Sequence, residues 1–216
     1  MEPDDTTLAS EGCYQPAQSQ SGRILLIGCG ALAREILAVI RANRLAHMEL
    51  RCLPAILHNT PERIVPAVRA AIEAAGDGYD RIFLLYGDCG TGGGLARLCA
   101  EMGVEMLEGP HCYAFFEGIE AFAAHGEEEI TAFYLTDFLV RQFDSFVWKP
   151  LGLDRHPELR DVYFGNYEKL IYMAQTDDPA LDEKARRHAG RLGLAYERRL
   201  TGYGDLEASL ARLGRE

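Results

Sequence analysis

The chain has 216 residues, 48% hydrophobic and 25% charged. A chain of this length and composition buries enough surface to fold without staples, which excludes collagen-like, coiled-coil and wholly disordered readings. A formal net charge of −11 argues against nucleic acid or an anionic membrane as partner, because phosphate binding needs concentrated positive charge.

No apolar run approaches the roughly 20 residues of a membrane span. The acidic, polar start lacks the basic and apolar regions of an export signal, so the expected compartment is the cytoplasm. Residues 1–22, rich in Ser, Gln, Asp and Glu, read as a loosely attached tail. Residues 23–216 read as one α/β domain. RILLIG is a short apolar strand, and CGALAREILAVIRANR follows it with Leu32, Ile36, Val39 and Ile40 at helical spacing. MELRCLPAILHN is a second extended segment, which Pro54 marks as irregular or near an edge. Thr60 as cap and Pro61 in the first position open the helix IVPAVRAAIEAAG, with Pro66 kinking its first turns or pushing its start later and Gly76 its stop.

YDRIFLLYG is the clearest strand. The loop GDCGTGGG and the helix LARLCAEMG follow it. VEMLEG is a short fourth strand, and PHCYAFFEGIEAFAAHG a turn and helix. This alternation predicts a parallel sheet with helices on its faces. The second half reads as mostly helical: TAFYLTDFLVRQFDSFVW, ELRDVYFGNYEKLIYMAQ and PALDEKARRHAGRLG, then a last strand LAYERR and a last helix GDLEASLARLG. The fold class is therefore α/β: a mainly parallel sheet of four to five strands flanked by helices, with a helical C-terminal elaboration.

Open α/β sheets bind ligands outside the carboxyl ends of their strands. The residues standing there are Gly28-Cys29-Gly30, His58-Asn59, Gly87-Asp88-Cys89-Gly90, Gly109-Pro110-His111-Cys112-Tyr113 and Thr201-Gly202-Tyr203-Gly204. Cys29, Cys89, Cys112, His58 and His111 are thus candidate ligands for zinc or an iron–sulfur cluster, since these metals take Cys and His. No CxxC pair is present, and structural disulfides are rare in the cytosol. Cys13, Cys52 and Cys99 fall in the tail, a strand and a helix, outside the candidate site.

Gly28, Gly30, Gly87 and Gly90 let backbone N–H groups approach a cluster's sulfur or an anion's oxygen closely. Gly28 to Ala33 also match the dinucleotide pattern G-x-G-x-x-A. The supporting acidic residue is misplaced, however: Glu49 starts the second strand, whose end carries His58 and Asn59. The glycine loop after the third strand lacks the Gly-Lys-Ser/Thr ending of a P-loop. The alternative function is a metal-free accessory module holding a small ligand or nucleotide over the two glycine loops. A third reading makes Cys89 a nucleophile with His111 or His58 as base. Asp88, beside Cys89, and Asp137, a carboxylate in an apolar helix that needs partners, are catalytic candidates. Tyr163, Phe164, Tyr167 and Tyr172 form an aromatic stripe suited to a core.

LLIGCGALAREI, LPAILHNTPERI, LLYGDCGTGG, GPHCYAFFEG, FYLTDFLVRQFD, YFGNYEKLIYMAQT and TGYGDLE together resemble the family numbered 1638 among domains of unknown function, over roughly residues 22–210. The resemblance implies a companion of corrinoid-dependent methyltransferases, with a corrinoid protein or methyltransferase as partner. It carries no agreed reaction and no catalytic residue. The site would then support one-carbon metabolism by redox or by delivery of a metal or methyl group.

Overall fold

The computed structural model describes residues 3–19 and 22–215. In chain order the elements are α1 (Asp5–Ser10), β1 (Cys13–Gln15), β2 (Ile24–Cys29), α2 (Ala33–Ala42), β3 (Met48–Leu53), α3 (Ile64–Glu73), β4 (Arg81–Leu85), α4 (Gly94–Met102) and β5 (Glu105–Met106). There follow α5 (Ala114–Glu117), α6 (Ile119–His125), β6 (Ala132–Leu135), α7 (Asp137–Arg141), α8 (Arg160–Phe164), β7 (Lys169–Ala174), α9 (Pro179–Leu192), β8 (Ala195–Leu200) and α10 (Gly204–Leu213). The chain divides into two compact units, where the sequence reading took residues 23–216 as one domain. The first runs through Phe115 and resumes at Asp205; the second is Phe116–Gly204.

The first unit holds a five-stranded sheet in the order β1-β3-β2-β4-β5. The pairs β2–β3, β2–β4 and β4–β5 are parallel, as the βα alternation predicts. Every residue of β2 is buried, which explains its unbroken apolar run: a central parallel strand is covered on both faces. α2 buries Ala33, Ile36, Leu37 and Val39, one stripe at helical spacing. A 3-10 turn over Pro61–Arg63 delays α3 to Ile64, with Pro66 inside its first turn. Thr60 makes no side-chain cap there.

The stretch expected as a loose tail is instead built into this unit. α1 is capped by Asp4, and β1 pairs antiparallel with β3 at the sheet edge. Leu8 is fully buried, so a short polar helix is held by one apolar anchor that its composition hides. Residues 1, 2, 20 and 21 of that stretch lie outside the described residues.

The second unit carries its own parallel sheet, in the order β6-β7-β8. LAYERR forms β8 as expected. The helices expected over TAFYLTDFLVRQFDSFVW and ELRDVYFGNYEKLIYMAQ are each divided: Ala132–Leu135 and Lys169–Ala174 are strands, and helix occupies only the remainder. Short buried apolar runs fit either period, and here sheet pairing decides. α9 packs Leu181, Ala185, Ala189 and Leu192 into a core with Leu135, Tyr172 and Phe164. Asp178 caps α9 through Ala180 N–H at 2.8 Å, and Pro179 takes its first position. Glu129 is buried and accepts from Tyr134 at 2.5 Å, from Lys169 at 3.3 Å and from Arg199. Among the described residues no helix is long and apolar enough to cross a membrane.

Candidate functional site

Four loops leave the carboxyl ends of β2, β3, β4 and β5. Cys29 is the last residue of β2, before a 3-10 turn over Gly30–Leu32. His58 lies in the 3-10 turn Ala55–Asn59 that follows β3. Cys89 follows β4, and His111 and Cys112 follow β5. The last two loops are stitched together: Asp88 N–H donates to the Gly109 carbonyl at 2.8 Å, and Cys89 N–H to the Pro110 carbonyl at 3.0 Å. Gly87 makes this possible, because a Cβ there would stand 2.5 Å from the His111 carbonyl carbon. Its N–H donates to Cys112 Sγ at 3.3 Å.

The five residues singled out from sequence are brought into contact. Cys89 Sγ and Cys112 Sγ are 3.3 Å apart. Cys112 also hydrogen-bonds Cys29, His58 bonds both Cys29 and Cys89, and His111 bonds Cys89. Cys29, Cys89 and Cys112 are 1%, 4% and 5% exposed, so bulk water does not solvate the sulfurs. Cys89 is held with φ at +47°, a left-handed conformation costly for a residue with a side chain. Among the described residues no group of three or more His, Cys, Asp or Glu side chains has the spacing to hold a metal ion as it stands. The 3.3 Å sulfur separation lies inside the edge of about 3.8 Å that a tetrahedron with 2.3 Å zinc–sulfur bonds requires.

The cluster divides its protons unequally. The Cys112 thiol lowers the pKa of Cys29 and of Cys89, and His58 lowers both further, together outweighing burial. Cys112 is pushed up by the same bonds, first to Cys29 and then to Cys89. Burial pulls His58 down, but the two sulfurs outweigh it and the net shift is upward. The bonding favours the thiolate form at Cys29 and Cys89, the thiol form at Cys112 and the protonated form at His58.

Tyr86 was not singled out from sequence. It stands between the end of β4 and Gly87, is 1% exposed, and its hydroxyl has no hydrogen-bond partner. It faces Cys29 short of full hydrogen-bond geometry; burial first, then the charges of Cys29 and Cys112, raise its pKa. The strand-end rule that found the cysteines reaches Tyr86 if it is applied one residue earlier.

The remaining candidates have other work. Asp88 organises its own loop, accepting from Thr91 Oγ1 at 2.8 Å, Gly92 N–H at 3.1 Å and Gly93 N–H at 2.6 Å. Asp137 belongs to the second unit, where it is buried and accepts from four donors. These are the Tyr172 hydroxyl at 2.7 Å, Gln175 N–H at 3.0 Å, Thr176 N–H at 3.2 Å and the Thr176 hydroxyl at 2.6 Å. The space beside the four glycines is used by the chain itself. A Cβ on Gly30 would meet the Leu8 carbonyl at 2.3 Å, one on Gly28 would meet Ile36, and one on Gly90 would meet Pro61. A cleft of about 790 Å³ borders Pro61, Gly90 and Thr91. Its arginines are engaged, Arg69 with Glu101 at 2.7 Å and Arg97 with the Gly92 carbonyl at 3.1 Å.

A family described as Protein of unknown function (DUF1638) matches residues 52–210. No curated protein and no solved structure matches the chain. The matched stretch contains His58, Cys89, His111 and Cys112 and all of the second unit, while Cys29 precedes it. With most of its length so matched, the chain belongs to the DUF1638 family of proteins of unknown function.

Proposed function

We propose that the first unit binds a soft or borderline metal through Cys29, Cys89, Cys112 and His58, with zinc as the best fit and His111 hydrogen-bonding the Cys89 sulfur from outside. One observation carries this reading: three thiols and an imidazole from four separate loops meet in one buried, mutually bonded cluster. Three Cys and one His are a tetrahedral zinc donor set. Outward rotation of the side chains by about half an ångström gives the tetrahedral spacing. An iron–sulfur cluster places bridging sulfides between its cysteines and needs a wider cage, so the close sulfurs favour a single ion. Burial also separates this reading from a cysteine nucleophile, whose sulfur must reach a substrate. The glycines approach their own chain and Asp88 takes the loop amides, which weighs against a nucleotide held over the two loops.

A bound zinc ion would hold its cysteines as thiolates at neutral pH. That sulfur is the form able to accept a methyl group, which supports a place beside a corrinoid protein or methyltransferase in one-carbon metabolism. Protein purified without oxygen or chelator should contain about one zinc per chain, and Cys89→Ser should lose most of it. Iron with acid-labile sulfide would replace zinc by a cluster. Protein free of metal that also fails to take up added zinc or cobalt would overturn the proposal.

A further inference from the structure

We propose that Cys13 and Cys52 form a reversible disulfide that locks α1 and β1 onto the edge of the first sheet. The inference rests on strand register and stands apart from the metal reading. Cys13 and Cys52 are direct partners in the antiparallel pair β1–β3. Opposed residues of such a pair have Cα atoms about 4.5 or 5.5 Å apart, and both separations fall within the disulfide range of about 4.4–6.8 Å. Their side chains project from the same face, and the two thiols hydrogen-bond each other. Bond formation therefore needs rotation of two side chains and no movement of backbone.

Position gives the pair an order of reaction. Cys13 is half-exposed and Cys52 is buried. Cys13 as thiolate attacks a small disulfide oxidant, such as oxidised glutathione, and one thiolate leaves. Cys52, losing its proton, then attacks the Cys13 sulfur and displaces the second. One S–S bond forms in the protein, the oxidant's S–S bond breaks, and its two thiols carry away the two electrons and two protons.

The lock matters because of what the strap covers. α1 packs against the turns Gly30–Leu32 and Ala55–Asn59, which follow Cys29 and contain His58. The Leu8 carbonyl lies where a Cβ of Gly30 would stand, and Arg34 donates to Asp5 at 2.9 Å. In the reduced protein the strap is held by non-covalent contacts, among them these and the three-residue strand β1. The disulfide would make its detachment rare and close the approach to two of the four loops.

The test equilibrates the full chain in glutathione buffers of increasing oxidation, blocks free thiols by alkylation, and maps peptides by mass. The expected result is a Cys13–Cys52 linked peptide two hydrogens lighter than the reduced pair. Limited proteolysis between Glu11 and Pro16 should slow on the order of tenfold or more on oxidation. Cys13→Ser should abolish both effects while leaving zinc content unchanged, so that failure here and failure of the metal reading are told apart. Three results would overturn the proposal: both thiols free in fully oxidised glutathione, Cys13 stopped as a glutathione mixed disulfide, or oxidation of Cys89 and Cys112 before Cys13 and Cys52.

Discussion

The two units end their parallel strands in opposite ways. Beyond β6 and β7 of the second sheet, Asp137 is buried with four donors on its carboxylate and no polar partner left over. Beyond β2 to β5 of the first sheet, three sulfurs and an imidazole bond mainly to one another, with the Gly87 N–H and His111 added from the loops, and the Tyr86 hydroxyl beside them has no partner. A buried charge that is fully bonded stabilises and specifies a fold. A buried cluster of reactive groups with a donor to spare is the arrangement on which the metal proposal rests. Burial alone does not separate the two cases; completeness of hydrogen bonding does.

The comparison breaks most readily at Asp137. Asp137→Ala strands two buried donors, the Tyr172 hydroxyl and Gln175 N–H, and frees Thr176, and should cost about 3 kcal/mol in denaturant unfolding, while metal content per folded chain stays unchanged. A parallel loss of metal would show that the carboxylate serves the centre. The reverse substitution, Cys112→Ser, should remove most bound metal and cost less stability than Asp137→Ala, read by metal analysis and the same unfolding curve.

Glu129 sharpens the comparison through pH. Burial opposes its ionisation, but Arg199, Tyr134 and Lys169 outweigh burial and bring its pKa from 4.5 to about 2. A lowered folded pKa means the stabilisation is fully present above pH 4.5 and is lost as pH falls toward 2. The amount is on the order of 3 kcal/mol, and Glu129→Gln should flatten that part of the stability profile. The smallest effect is expected at Tyr86. Tyr86→Phe removes an unpartnered hydroxyl and should leave metal-free stability within about 1 kcal/mol of wild type, or raise it. In cobalt-substituted protein it should shift the thiolate-to-cobalt absorption band, and an unmoved band would mean the phenol does not address the bound sulfur.

Much of the first unit was legible in the sequence because its strands are continuous apolar runs separated by amphipathic helices with glycine or proline at their ends. Once that alternation is read, the strand-end rule assembles Cys29, His58, Cys89 and Cys112 although more than twenty residues separate each from the next. The second unit was less legible. FYL and LIYMA sit within stretches whose apolar spacing also suits a helix, and only the pairing of β6 with β7 and of β7 with β8 decides between them. β1 was hidden because the three residues Cys13–Gln15 are too few to show a strand period, and its pairing with β3 is a long-range fact. Asp137 and Asp88 looked alike as acids beside apolar or reactive sequence, yet their partners are hydroxyls and backbone amides that no spacing rule reveals.

α10 adds a consequence of a different kind. Leu206, Leu210 and Leu213 are buried in a helix that belongs to the first unit, although the chain has passed through the whole second unit before reaching it. During synthesis the strands and loops of the cluster emerge early, but the apolar surface that α10 covers stays open until the whole second unit and α10 itself have been made. The first unit therefore waits about ninety residues for its own completion, and the second, being continuous, is free to fold meanwhile. Chains stalled or truncated before α10 should present a finished second unit beside an unfinished, adhesive first one.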